Sequence, residues 1–210
     1  MNNNIEAIIF DLGGVIINID FEITQKEFAK LRMENPEKYF GIYNQTGFFD
    51  KLDKGEIGEK EFFKEISNLL PETISNNAIE KAWNAMILDF PRRRIEMLKD
   101  LRKNYKIFLL TNTNIIHYYY YSEKLKDIYQ CSLESLFDKV YLSFKMGMRK
   151  PDPEIFLTIL QENSLAPNKT MFVDDTLIHI KQAEALGIYS YLMQKDEDVT
   201  KLFVNGKLIY

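Results

Sequence analysis

Short apolar runs recur along the chain at residues 5–10, 106–110, 139–144, 170–173 and 189–193. Each is four to six residues long and bounded by polar or turn-forming positions, the pattern of a strand buried on both faces. Between them the apolar positions recur one helical turn apart, as in Ile95, Leu98 and Leu101, or Ile155, Phe156, Ile159 and Leu160. Strand alternating with helix predicts a parallel sheet covered by helices. One stretch departs from this rhythm. Residues 19–90 carry helical patterns, such as Phe62, Phe63, Ile66, Leu69 and Leu70, then Ile79, Trp83, Met86 and Ile87, with no strand pattern. Pro36, Gly41, Gly47, Gly55 and Pro71 punctuate it, and Pro91 marks the return to the alternating pattern. The expectation is a helical insert (19–90) after the first strand, and a core built from 1–18 and 91–210. The tail 202–210, with Asn205-Gly206 inside it, predicts a short hairpin.

Charge and cysteine content narrow the setting. The net charge of -4 supplies no chain-wide basic field for nucleic acid or anionic membrane. The densest basic run, Arg92-Arg93-Arg94, is expected to be a solvated first helical turn. Cys131 is the only cysteine, so no intrachain disulfide can form, which fits a reducing compartment. Met1-Asn2-Asn3-Asn4 lacks the positive region of a signal peptide, and no apolar stretch approaches membrane-spanning length. A cytoplasmic location is the expectation; oligomeric state is not legible.

In a parallel α/β sheet, ligands bind beyond the carboxyl ends of the strands. Those ends carry Asp11, then Thr111-Asn112-Thr113-Asn114, then Lys150-Pro151, then Asp174-Asp175. Taken singly, Asp11 before Gly13-Gly14 reads as a turn residue, Thr111-Asn112 as a helix cap, Lys150 as a surface lysine, and Asp174-Asp175 as a helix cap. Their shared position at strand ends favours a site. Adjacent carboxylates are costly unless neutralised, and a hard divalent cation such as Mg²⁺ does so through oxygen ligands. A nucleophilic carboxylate, a cation site and an anion cradle together point to phosphoryl transfer. Asp152-Pro153 is expected to cap and open the helix behind Lys150.

The order Asp11, Thr111-Asn112, Lys150-Pro151-Asp152-Pro153 and Asp174-Asp175 resembles the haloacid dehalogenase-like (HAD) hydrolase superfamily, over residues 5–193. Arg149 through Phe156 and Phe172-Val173-Asp174-Asp175 are the most specific pieces. Phe10-Asp11-Leu12-Gly13-Gly14-Val15 is similar to a variant of the first motif, and Asp53-Lys54-Gly55-Glu56-Ile57 to a stretch of the helical C1 cap. The resemblance implies a Rossmann-like α/β core with a small all-helical cap inserted after strand one. It implies that Asp11 is the nucleophile and a Mg²⁺ ligand, alongside the Gly13 carbonyl, Asp175 and Asp174. Thr111 and the amide of Asn112 would hold the phosphoryl group, and Lys150 would neutralise Asp11 and the phosphate.

The family's second aspartate, two residues after the nucleophile, is here Gly13. General acid–base help is worth ~10²–10⁴-fold, so a substitute or slower turnover is implied. Asp20, His117 and the tyrosines at 118–121 are candidate substitutes, with a hinge to the cap, structural hydrogen bonding and packing as their alternatives. The leading expectation is a Mg²⁺-dependent phosphatase of a small phosphorylated metabolite, sugar phosphates included. The alternatives are a metal-independent dehalogenase-type hydrolase, or a weakly catalytic phospho-ligand-binding protein. Tyr43, Phe48, Phe49 and Tyr118 are candidates for an apolar pocket roof, although core packing accounts for them equally.

Overall fold

A computed structural model of the chain describes residues 4–40 and 47–210. Five parallel strands form one sheet in the order β3-β2-β1-β4-β5. They are β1 (Ala7–Phe10), β2 (Lys106–Thr111), β3 (Lys139–Leu142), β4 (Thr170–Asp174) and β5 (Tyr189–Leu192). The antiparallel pair β6 (Phe203–Val204) and β7 (Lys207–Leu208) closes the chain. Its turn is Asn205-Gly206, both left-handed at φ 50° and 68°, as a two-residue hairpin of this twist requires. All these strands fall within or beside the apolar runs. The third run is shorter than expected, because Ser143–Met146 winds into a single helical turn after Leu142.

Helices α1 (Phe21–Lys30), α2 (Phe48–Asp53), α3 (Glu59–Asn68) and α4 (Asn76–Asn84) lie between β1 and the rest of the sheet. Then come α5 (Arg92–Leu101), α6 (Ile115–Tyr129), the one-turn helices α7 (Leu133–Leu136) and α8 (Ser143–Met146), α9 (Pro153–Glu162) and α10 (Leu177–Ala185). Alternate residues of β1 serve opposite faces. Ala7 and Ile9 join a cluster with Ile155, Phe156 and Ile159 of α9 and Ile180 and Ala183 of α10. Ile8 and Phe10 join a larger cluster with Ile95, Leu98 and Leu101 of α5 and Ile116 and Leu125 of α6. Burial on both faces explains why the strands read as unbroken apolar runs.

The same larger cluster runs on into the helices between β1 and α5, through Phe28, Phe40, Phe49, Phe62 and Trp83. Phe28 stacks on Phe40 at 4.4 Å between ring centres, and Trp83 lies 5.2–5.7 Å from the rings of Phe62, Phe49 and Phe40. Phe48 packs on Phe49 at 4.1 Å, so these two rings are core, not a pocket roof. Tyr43 lies outside the described residues. The chain leaves and regains the sheet region through two paired segments: Asp20 N–H donates to Met86 O (2.9 Å), Leu88 N–H to Asn18 O (3.0 Å) and Asn18 N–H to Asp89 O (3.0 Å).

Two local expectations are corrected. Arg94 is not solvated: only 5% of it is exposed, and its guanidinium donates to Asp198 (3.1 Å) and to Asn18 Oδ1 (3.0 Å). Arg93, which does reach solvent, also bonds Asp198, at 2.7 Å. Periodicity alone could not reveal this, because the partner lies over a hundred residues away. Asp152 does sit at the N-cap of α9 with Pro153 behind it, but its side chain makes no capping hydrogen bond. Among the described residues no helix is long and apolar enough to cross a membrane.

Candidate active site

The topology reverses around β1: β2 lies on one side and β4 on the other, with helices following each. The rim above these three carboxyl ends opens into a cavity of about 130 Å³. Asp11, Gly13, Thr111, Asn112, Lys150 and Asp175 all line it. The sequence-predicted rim therefore converges, with Asp174 immediately beneath.

Lys150 is the centre of the arrangement. It is not a surface lysine, being 1% exposed. Its Nζ donates to Asp11 Oδ1 at 2.7 Å, to Asp174 Oδ2 at 2.6 Å and to the Leu110 carbonyl at 3.0 Å, using all three ammonium protons. The loop that carries it is clamped to the end of β2. Asn112 Nδ2 donates to Lys150 O, and Lys150 N–H donates to Asn112 Oδ1, both at 2.9 Å. The Asn112 carboxamide is thus spent on placing Lys150.

Asp11, Asp174 and Asp175 each offer an oxygen, and these three atoms lie within 4.8 Å of one another. Burial pushes the Asp11 carboxyl up to about 7; the Lys150 ammonium opposes this, and the Asp174 and Asp175 charges add to it. Asp174, against its own burial, is held down to about 2 by Lys150 and His179. Burial, with the Asp174 charge, also raises Asp175. One lysine facing three carboxylates leaves excess negative charge in a site made of hard oxygen donors, which suits a small divalent cation. Gly14 makes room for the Asp175 carboxylate. Its φ is +70°, and a Cβ there would fall 2.2 Å from Asp175 Oδ2.

Thr111 is buried at the cavity wall, and α6 begins just beyond it. The cap of that helix is Asn114, whose Oδ1 accepts from His117 N–H at 3.0 Å, so Thr111 and Asn112 remain on the rim and do not cap. Thr176 N–H donates to Asp174 Oδ1 (2.7 Å), so Asp174 does brace the start of α10.

Four of the candidate substitutes for the missing aspartate, Asp20, Tyr118, Tyr119 and the exposed Tyr120, are placed elsewhere. Asp20 caps α1 through Glu22 N–H (2.9 Å) and is not among the cavity's lining residues. Tyr118 donates to Glu134 (3.2 Å), and Tyr119 is exposed. His117 and Tyr121 do reach the cavity. The His117 ring stacks on Trp83 at 4.5 Å. Its Nε2 faces Trp83 O (3.2 Å) and so carries the proton, leaving Nδ1 to accept from Asn114 Nδ2 (3.3 Å). Burial pulls His117 down to about 4, so it is neutral and already satisfied. Burial raises the Tyr121 phenol far above neutral pH. At Gly13 itself, Ile19 Cδ1 lies 3.1 Å from where a Cβ would stand.

The structure adds Asp53 and His179, which strand-end reasoning missed, and brings to the cavity Asn114 and Arg149, which lay in the motifs without an assigned role. His179 Nδ1 lies 3.1 Å from both Asp174 oxygens. Its position in the first turn of α10, five residues after Asp174, was the available signal. Both histidines of the chain thus line one cavity.

This architecture, with its lysine-bridged carboxylates at the topological switch, defines a hydrolase of the HAD type. A profile of haloacid dehalogenase-like hydrolases matches residues 5–187, and the chain belongs to that family. Among its relatives is the D-ribitol-5-phosphate phosphatase of Bacteroides thetaiotaomicron, 30% identical over 92% of this chain and 94% of that protein. A crystal structure of the HAD family enzyme bt-2542 from the same organism, in complex with magnesium and inorganic phosphate, superposes with a TM-score of 0.88. It is 35% identical and covers 95% of this chain and 100% of that one. A predicted HAD-like hydrolase from Porphyromonas gingivalis superposes with a TM-score of 0.84, at 29% identity over 92% of this chain and 93% of its own. L-2-haloacid dehalogenase from Xanthobacter autotrophicus shares the fold, with a TM-score of 0.59 at 16% identity.

Proposed function

We propose that this hydrolase removes the phosphate of a small phosphorylated, hydroxylated metabolite through an aspartyl-phosphate on Asp11. The observation that carries this is the Lys150 ammonium held at 2.7 Å from Asp11 and 2.6 Å from Asp174, with Asp175 completing a three-carboxylate cluster in one cavity. Relatives named as phosphatases of D-ribitol 5-phosphate and of phosphorylated carbohydrates support the substrate class. The carboxylate cluster favours this reading over dehalogenation, for which the likeness extends to the fold alone.

Asp11 Oδ attacks phosphorus, and the P–O bond to the alcohol breaks as the acyl phosphate forms. Lys150 favours the ionised form of Asp11, opposing the upward pull of burial, and offers positive charge where the phosphoryl oxygens gather. The Thr111 hydroxyl donates to one of those oxygens, and the start of α6 directs its positive dipole end toward them. Asp11, Asp175, Asp174 and the Gly13 carbonyl would hold Mg²⁺. That ion supplies charge neutralisation among the carboxylates and the phosphoryl group. Water then attacks phosphorus, Asp11 leaves as a carboxylate, and inorganic phosphate departs. With Gly13 in the acid position, the departing alkoxide takes its proton from water. The residues between β1 and α5 act as a cap that closes the alcohol end of the cavity.

Phosphate release from a panel of pentitol, pentose and hexose phosphates, run with Mg²⁺ and with EDTA, tests the reading. Turnover that requires Mg²⁺ is expected. Equal turnover in EDTA, or turnover of 2-haloacids in its place, would sink it.

A further inference from the structure

The machinery above lies entirely at the strand ends, yet one buried acid in the same cavity has no part in it. Of the described lining residues contributed by the segment 19–90, five are Ile19, Phe21, Trp83, Met86 and Ile87. The sixth is Asp53, at the end of α2, 5% exposed. It is the single carboxylate on that wall.

Its surroundings show which of its atoms is committed. Asp53 Oδ1 accepts from Asn114 Nδ2 at 3.2 Å. Arg149 Nη1 donates to Asp50 Oδ1 at 3.0 Å and stands 3.8 Å from Asp53 Oδ2, which places charge nearby without a hydrogen bond. Among the described residues Oδ2 accepts no hydrogen bond. Asp53 lines the cavity, so a further donor can reach Oδ2 beside the Arg149 guanidinium, and burial of the residue pushes its carboxyl up to about 6. An alcohol hydroxyl from a bound ligand is such a donor. The rest of the wall is apolar and aromatic, and the C–H edge of a polyol or sugar packs well against such a surface.

Building on the phosphatase reading, we propose that Asp53 is the specificity-determining residue of this site, its Oδ2 accepting a hydrogen bond from a hydroxyl of the phosphorylated alcohol. Asn114 and Arg149 are its positioning residues: one fixes the carboxylate plane, the other supplies the charge that keeps it ionised. The ligand class is therefore a phosphorylated polyol or sugar, and an alkyl phosphate of the same length is disfavoured.

The test compares kcat/KM, with Mg²⁺, for pentitol, pentose and hexose phosphates against n-pentyl phosphate and p-nitrophenyl phosphate. The wild type should prefer its best hydroxylated substrate over n-pentyl phosphate by about 10- to 100-fold, the range for a hydrogen bond to a charged group. In Asp53→Asn that ratio should fall toward one, chiefly through KM. A structural role alone would lower all substrates together and leave the ratio intact. Wild-type indifference between hydroxylated and alkyl phosphates would overturn the proposal, as would full preference in a folded Asp53→Asn. If Asp53→Asn does not fold, the wild-type ratio decides. A wild type that hydrolyses none of these phosphates would remove the phosphatase reading itself, a distinct outcome.

Discussion

Gly13 and Ile19 share one volume. A carboxylate two residues after Asp11 would begin its side chain 3.1 Å from Ile19 Cδ1, so restoring the acid requires that methyl to give by a few tenths of an ångström. The first prediction follows. Turnover should fall steeply as the leaving-group pKa rises, because general acid help worth ~10²–10⁴-fold is missing. A flat dependence would reveal a proton donor. Gly14 is constrained differently. At φ +70°, with Asp175 Oδ2 2.2 Å from a Cβ, Gly14→Ala must displace a carboxylate of the cluster. Mg²⁺-dependent turnover should drop by at least the ~10²-fold that a misplaced reacting group costs, and KM for Mg²⁺ should rise. Unchanged kinetics in that variant would dissociate Asp175 from the site. Asp11, Lys150 and Asp174-Asp175 were legible as a site because each follows an apolar run, Lys150 after a short connection. Asp53 was not, since nothing in its neighbourhood marks the partner Asn114, sixty-one residues later.

Elements obey the same division between local and distant information. Strand positions, the Asn205-Gly206 turn and the placement of the helices follow from periodicity and backbone chemistry close in sequence. The solvated reading of Arg92-Arg93-Arg94 failed for the opposite reason. Asp198, just ahead of the terminal hairpin, reaches back to the first turn of α5, and Arg94 continues to Asn18. Arg94→Met removes a buried guanidinium from Asn18 and from Asp198, which keeps Arg93. It should cost about 1.5–3 kcal/mol of stability, read by urea denaturation, with Arg93→Met costing under about 1 kcal/mol because that side chain is solvent-exposed. Equal effects would contradict the burial difference. α6 adds a subtler case: its cap is Asn114, two residues beyond the cap candidates Thr111-Asn112, because Asn114 is itself still extended before the chain winds.

For the whole molecule, two linkages follow from charge placement. Asp53 titrates near 6 when folded against 3.8 when free. A raised carboxyl pKa contributes stability in full below pH 3.8, and loses it as pH rises through 6. This amounts to roughly 3 kcal/mol, and Asp53→Asn should flatten the fall in Tm between pH 4 and 7. A parallel profile in that variant would place the titration elsewhere. Mg²⁺ should stabilise the fold at neutral pH by about 2.7 kcal/mol at a hundredfold excess over Kd, about 5–10 °C in Tm, and not in Asp175→Asn. An equal shift in both would put the ion at another site. The alternation of strand and helix made the sheet readable, and the helical run 19–90 was readable as an interruption of it. How that interruption folds over the rim was not, because its contacts, such as the ring of His117 on Trp83, join residues far apart in sequence.

The paired crossing at Asn18–Asp20 and Met86–Asp89 bears on evolution and engineering. Both ends of the intervening helices emerge side by side, tied by main-chain hydrogen bonds that any sequence can make. The chain therefore enters and leaves the segment through a single doorway, while the segment also packs on His117, Asn114 and Arg149. A graft that keeps those contacts is expected to redraw selectivity while Asp11, Lys150 and Asp175 stay untouched.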